Sequence, residues 1–218
     1  VQDEGILRTM KEYGCLVQGN IVKFPQPIID SYLEELRKVK EPHDMREHSV
    51  TQELQFFASG QGPYACDMET DQIRPSTSKD LAAMGRVVDA IPGLKRAHPT
   101  FVPQDVPRLT RDVHILAITA MNYSEVDEGT TSLYSSRTLP YLVEIGIIIR
   151  GSEEELKKRP CFHFSTYITS PFRLAEDVLR MGLKLREYGL FGGFSNMVVG
   201  GAAAPITLAG TLVVQTAE

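Results

Sequence analysis

The sequence predicts an α/β chain in which parallel strands alternate with helices, either as an open sheet or closed into a barrel, behind a small helix-and-hairpin prelude. Three observations predict it. Strand-like apolar runs begin at Leu54, His98, Gly129, Cys161 and Phe191, and after the first they recur at steps of about thirty residues. Helical patterns with recognisable caps fill the gaps, as right-handed crossovers between parallel strands require. The composition is that of a globular chain: 218 residues, 42% hydrophobic and 23% charged, with 17 Gly and 13 Pro. That balance argues against disorder, collagen-like repeats and a coiled coil, and the length is ample to bury a core.

Residues 1–50 read as the prelude and residues 51–218 as the strand-helix domain. Val1 to Tyr13 is expected to form a short helix, with Ile6 and Met10 one turn apart. Cys15-Leu-Val, Gln18-Gly-Asn20 and Ile21-Val-Lys-Phe24 read as a hairpin about a Gly-containing turn. Pro25 to Lys40 has an apolar stripe of Ile28, Ile29, Tyr32, Leu33 and Leu36, which marks an amphipathic helix. Lys40 to Ser49 is polar and reads as a linker. In the first strand-helix unit, Tyr64 to Arg74 is expected to be a hairpin, inserted before a helix opened by the capping box Thr77-x-x-Asp80. Leu81, Met84, Val88 and Ile91 form that helix's apolar face, and Pro92-Gly93 stops it. Asp105 is placed to cap the next helix, with Pro107 in its first turn. Thr138 to Gly151 and a turn opened by Ser152 read as two short helices, although Ile145 and Ile147 to Ile149 also suit a strand. Ser170-Pro171 opens a last full helix that Gly189 ends.

Net charge is −5 and the basic residues are scattered, so no nucleic-acid partner is expected. Cys15, Cys66 and Cys161 are widely spaced and odd in number, which argues against a disulfide framework and for a reducing cytoplasm. Leu190 to Ala217 lacks any charge, but glycine pairs and Pro205 break it into short pieces, so no membrane span is expected. The chain opens on Val-Gln-Asp-Glu-Gly and stops after an apolar helical pattern, so a piece of a longer protein is expected.

In parallel α/β folds the chemistry lies at the C-terminal ends of the strands. Here those ends carry Gln61, Gln104, Tyr134, Ser135 and Tyr167, which are polar but neutral. No lysine is placed for a Schiff base and no carboxylate pair is evident, which argues against aldolase-like and glycosidase-like chemistry. Cys161 and His163 share a strand face, but no second pair completes a zinc site, so no metal is expected. Gly200-Gly-Ala-Ala-Ala-Pro-Ile-Thr-Leu-Ala-Gly210 passes from strand to helix with almost no side-chain volume. Such a run either lets a flat group approach the backbone or packs helix tightly against strand.

Four stretches together resemble the trimethylamine and quaternary-amine methyltransferase family that works with corrinoid proteins. They are Gln61-Gly-Pro-Tyr-Ala-Cys-Asp-Met-Glu-Thr70 with Arg74-Pro75 and the Asp80-Leu81 helix; Pro99-Thr-Phe-Val-Pro-Gln-Asp-Val106; Arg150-Gly-Ser-Glu-Glu-Glu-Leu156 with Arg159-Pro160; and Gly200 to Ala217. The prelude from Leu7 to Phe24 is also similar to the family's region before its barrel. One departure is Phe191-Gly-Gly-Phe-Ser-Asn, where the family more often has Pro and small residues.

The resemblance implies a partial TIM barrel and transfer of a methyl group from a methylated amine, such as trimethylamine or a betaine, to Co(I) of a separate corrinoid protein. The stretch that carries pyrrolysine in the trimethylamine enzymes would lie beyond Glu218. No tightly bound cofactor is implied; the cobalamin comes with the partner. A quaternary ammonium leaves as a neutral amine, so no general acid is needed, which suits the strand ends. Tyr134 and Tyr167 would face the cation, with Tyr64 at the mouth. Gln61, Gln104 and Ser135 would hydrogen-bond a betaine carboxylate, and Gly200, Gly201 and Ala202 would leave room for the corrin edge. Exposed sheet edges also predict self-association. The alternatives are a non-catalytic barrel scaffold and an unrelated TIM-barrel lyase.

Overall fold

The structure is a computed structural model that describes residues 1, 3–39, 56–58, 60–97, 99–126, 133, 135–162, 164–168, 170–190 and 192–218, without side chains at 39, 57, 95–97 and 164–167. The expected linker from Lys40 to Ser49, and Tyr134, lie outside the described residues. The chain divides into two compact units. The first combines Val1–Leu54, Ile168–Leu179 and Asn196–Glu218; the second combines Gln55–Tyr167 and Arg180–Ser195. The C-terminal segment therefore groups with the prelude.

In the first unit, helix α1 (Glu4–Glu12) starts where the Asp3 carboxylate accepts the Ile6 N–H. It ends in a Schellman turn: the N–H groups of Gly14 and Cys15 donate to the Lys11 and Met10 carbonyls, with Gly14 at φ +86°. Strands β1 (Leu16–Gln18) and β2 (Ile21–Lys23) form the expected hairpin, Val17 opposite Val22. Gly19, at φ +61°, takes the first position of the two-residue turn. Helix α2 (Gln26–Val39) follows. Its apolar stripe is present, but Ile29, Tyr32, Leu33 and Leu36 are all exposed.

The second unit is built round a parallel pair. Strand β3 (Phe56–Ala58) lies beside β6 (Leu94–Ala97), and an isolated parallel bridge between Gly62 and Phe101 extends the pairing. Between them run the antiparallel hairpin β4 (Tyr64–Cys66) and β5 (Ile73–Pro75), then helix α3 (Ser78–Ala90). The capping box of α3 is complete, Thr77 and Asp80 each bonding the other's backbone N–H. The second strand begins four residues before the expected His98, because Gly93 at φ +93° turns the chain straight out of the helix into β6.

Helix α4 (Arg111–Asn122), preceded by a 3-10 turn (Arg108–Thr110), packs against α3 and buries Ile115 and Leu116 completely. Each such side chain is worth about 1.5–3 kcal/mol. Asp105 does not cap this helix, as the sequence suggested. It accepts the Ser78 N–H at 2.8 Å and so serves the start of α3 instead. Val88 and Tyr123 form a small core closed by Ala58, Met84 and Leu94, which joins α3 to the parallel pair.

The ambiguous isoleucine-rich stretch is helical: α5 (Leu139–Arg150) ends at Gly151, φ +87°, and α6 (Glu153–Lys158) is capped by Ser152. Residues 129–132 and 134 of the expected third strand, which starts at Gly129, are outside the described residues, and 136–138 form a turn. Strands β7 (Phe164–Ile168) and β8 (Gly192–Asn196) share a two-stranded sheet. Helix α7 (Glu176–Glu187) begins six residues after Ser170, which instead belongs to the turn that ends β7. Helix α8 (Leu208–Ala217) closes the chain, with Leu208, Leu212 and Val213 exposed. Among the described residues no helix is long and apolar enough to cross a membrane.

Candidate functional site

The end of β3 is held by a knot centred on Ser76, a residue with no solvent exposure. Its hydroxyl lies 2.8 Å from the Val102 carbonyl and 3.1 Å from that of Gly62. Its N–H donates to Pro63, and its carbonyl accepts the Gln104 N–H at 2.8 Å. Gln61 joins the same knot by donating its N–H to the Pro99 carbonyl. Glycine is favoured on both sides of Gln61, since a Cβ at Gly60 would stand 3.0 Å from the Thr100 carbonyl oxygen and one at Gly62 3.3 Å from that of Tyr64. Gln61 itself has φ +53°, an unfavoured conformation for a residue with a side chain. The structure thus fixes Gln61 and Gln104 to one framework. One N–H of the Gln104 side-chain amide donates to the Val102 carbonyl at 2.6 Å, leaving its second N–H and its oxygen as the groups it can offer.

Beside this knot the charges are locked. Arg74 forms a two-pronged pair with Asp80 at 2.8 and 2.9 Å and reaches Asp67 at 3.5 Å. The Arg74 hydrogen bond, helped by Thr77, holds the Asp80 carboxyl well below the usual carboxylate range against the opposing effect of burial. The same bond raises Arg74. Asp67 is lowered chiefly by the Thr70 N–H and hydroxyl, then by Glu69 and Arg74. None of the three is poised to exchange a proton near neutrality.

The remaining expected residues are placed less tightly. Ser135 accepts the Arg137 N–H on its hydroxyl and the Thr138 N–H on its carbonyl, at the turn leading into α5. There Thr138 donates to the buried Asp112 at 2.5 Å. Tyr167 lies in β7, and Tyr64 is exposed on the β4–β5 hairpin. Gly200, Gly201 and Ala202 form a turn in which Gly201 has φ +81° and donates to Ala204. Their small size is used locally, since a Cβ at Gly200 would meet the Thr211 hydroxyl at 2.8 Å. The outer faces of Gly200 and Gly201 stay exposed, so the turn still offers bare backbone.

One residue was missed. The sequence shows no acid near the end of β7, but the structure brings Glu218 there from the end of α8. Its carboxylate accepts the Ser170 hydroxyl at 2.7 Å and the Phe172 N–H at 3.0 Å. Phe172 is exposed and has φ +54°, an outlier for so bulky a residue that costs about 1–3 kcal/mol. No local sequence signal marks a contact between residues this far apart.

Among the described residues no group of His, Cys, Asp and Glu could hold a metal ion. The recess between α3 and α4, lined mainly by Leu81, Met84, Val88 and Pro99, has room for about one water molecule and no charged wall. The loops that follow β3 and β6 are thus fixed by backbone bonds, and the charges beside them are tied to one another.

The chain belongs to the trimethylamine methyltransferase (MTTB) family, whose model matches residues 1–218. It is 23% identical over 224 residues to the trimethylamine methyltransferase MttB of Desulfitobacterium hafniense, covering all of this chain and 45% of that protein. Over 232 residues it is 25% identical to the MttB of Methanosarcina barkeri, covering all of this chain and 46% of that one. The glycine betaine methyltransferase of Desulfitobacterium hafniense is 23% identical over 225 residues, covering 99% of this chain and 45% of that protein. The chain thus spans about half the length of these curated relatives.

Proposed function

We propose that the protein to which this chain contributes removes a methyl group from a methylated amine and passes it to Co(I) of a corrinoid protein, within a TIM barrel that the present strands only partly build. The observation that carries the reading is the knot that follows β3: it holds Gln61 and Gln104 on one framework, while Arg74, Asp67 and Asp80 are tied to one another. A site of this kind suits a reaction in which the N–CH3 bond breaks and the amine leaves with the electron pair. With a quaternary ammonium the leaving group is already neutral, so no residue need protonate it.

The work left to the protein is to strip water from the cation and aim one methyl group at the acceptor. Tyr134 and Tyr167 would supply aromatic faces for the cation, each worth about 0.5–2 kcal/mol. Gln61, Gln104 and Ser135 would hydrogen-bond a carboxylate if the amine is betaine-like. The acceptor supplies a strong cobalt nucleophile, and the exposed Gly200–Gly201 turn offers backbone that a flat macrocycle can approach without meeting side chains. Relatives that act on trimethylamine and on glycine betaine support the amine class.

The test is methyl transfer by the full-length protein, followed by the change in corrin absorbance. Trimethylamine or a betaine is expected to be demethylated only when a Co(I) corrinoid is present. Turnover with S-adenosylmethionine alone, or a requirement for added zinc, would overturn the reading.

A further inference from the structure

We infer that Phe172 and Glu218 form the corner that reads the positive charge of the substrate, an inference that rests on the methylated-amine reading and extends it by assigning the charge-recognising residues. A quaternary ammonium has no N–H to donate, so a protein recognises it through aromatic faces and a nearby negative charge. The other acids near the described strand ends are already committed. Asp67 and Asp80 share Arg74, and Asp105 serves the start of α3. Glu218 differs in that its two partners, the Ser170 hydroxyl and the Phe172 N–H, are neutral. Among the described residues no cation lies within ion-pair distance of it, the neighbouring Arg173 included. Its negative charge is therefore oriented but not neutralised.

Phe172 supplies the second half of the corner. A turn with positive φ is served better by Gly or Asn, and a phenyl ring left 62% exposed adds little to folding. Keeping a phenylalanine there makes sense if the ring itself is used. The ring belongs to the residue whose N–H meets the carboxylate, so both groups sit on one turn, and in this assignment one methylated ammonium touches both. The corner follows β7 directly, the strand that carries Tyr167.

The experiment is calorimetric titration of the full-length protein with choline and with its uncharged carbon isostere 3,3-dimethyl-1-butanol. The wild type is expected to prefer choline. Phe172→Leu and Glu218→Gln should each weaken choline by about three- to thirtyfold while leaving the isostere unchanged, and Phe172→Tyr should keep most of the affinity. Phe172→Gly provides the folding control: relief of the strained φ should raise or preserve the melting temperature while choline binding falls. Equal losses for both ligands, or no loss for either variant, would overturn the assignment. If these variants bind choline like the wild type while methyl transfer from an amine proceeds, the corner fails and the amine reading stands. If the wild type neither binds nor demethylates any methylated amine, both fail.

Discussion

Helices α2 and α4 are both amphipathic in sequence, yet they end in opposite situations. α4 lies between α3 and α5 and fully buries Ile115 and Leu116. α2 carries Ile29, Tyr32, Leu33 and Leu36 on its apolar stripe and leaves them all exposed. α8 resembles α2 in this respect, with Leu208, Leu212 and Val213 exposed. The difference teaches that a periodic pattern specifies which face a helix means to bury, not what covers it. The inner faces of α3, α4 and α5 find their cover within the chain, with Leu81, Val88, Ile115, Leu116, Leu139 and Leu142 buried. The relatives are more than twice as long as this chain, and the account expects their additional length to supply cover for α2 and α8.

The largest effect expected from this contrast is in the core. Leu116→Ala should cost about 2–5 kcal/mol of stability in urea denaturation, whether the 218-residue chain or the full-length protein is measured. Leu33→Ala should cost less than about 0.5 kcal/mol in the chain alone and distinctly more in the full-length protein. Equal costs for Leu33→Ala in both would break the comparison.

Next in size is Gly146→Ala. A Cβ there would stand 2.7 Å from a Leu156 methyl group, and Leu156 is buried beside Phe162. The buried Leu156 side chain must shift to admit the new methyl group, and this overpacking should cost about 1–3 kcal/mol. An unchanged denaturation midpoint would show that α5 and α6 separate more easily than the structure implies.

A smaller, pH-dependent effect belongs to Asp80. Folding lowers its carboxyl below the unfolded value, because the charged form bonds Arg74 and Thr77. Its contribution is therefore present above about pH 4 and is lost as the pH falls through the folded value. Asp80→Asn should lower stability at pH 7 by about 1–2 kcal/mol, mainly through the capping box and the Arg74 pair, and should flatten the acid limb of the stability profile. Asp67 and Asp89 shift in the same direction, Asp89 chiefly through the Ser124 hydroxyl. Some acid dependence should therefore survive in that variant.

What the sequence made legible was largely local. The Thr77–Asp80 capping box, the Gly151 stop, the Ser152 cap and the β1–β2 turn each depend on residues within a few positions of one another. The start of β6 was misplaced by four residues because Pro92-Gly93 was read as a stop, when Gly93 is also the turn into the strand. Asp105 looked like a cap for the helix ahead of it because helix starts are read forward along the chain; its real partner, Ser78, lies behind it in sequence. In the candidate site, strand spacing singles out Gln61 and Gln104, and the structure ties the backbone of both to one framework. The knot that fixes them was not legible, since Ser76 looks like an ordinary polar residue between hairpin and helix. Glu218 was the least legible, because only the fold carries the end of α8 back to the turn after β7.

Hydrogen exchange of the backbone amides, measured for the 218-residue chain and for the full-length protein side by side, tests the two-region account most directly. The account predicts that α3 and α4 are slow in both, while α2 and α8 exchange quickly in the chain alone and become protected at full length. Equal protection of α2 and α8 in the two proteins would contradict it, since their exposed apolar faces would then be stable without any added cover.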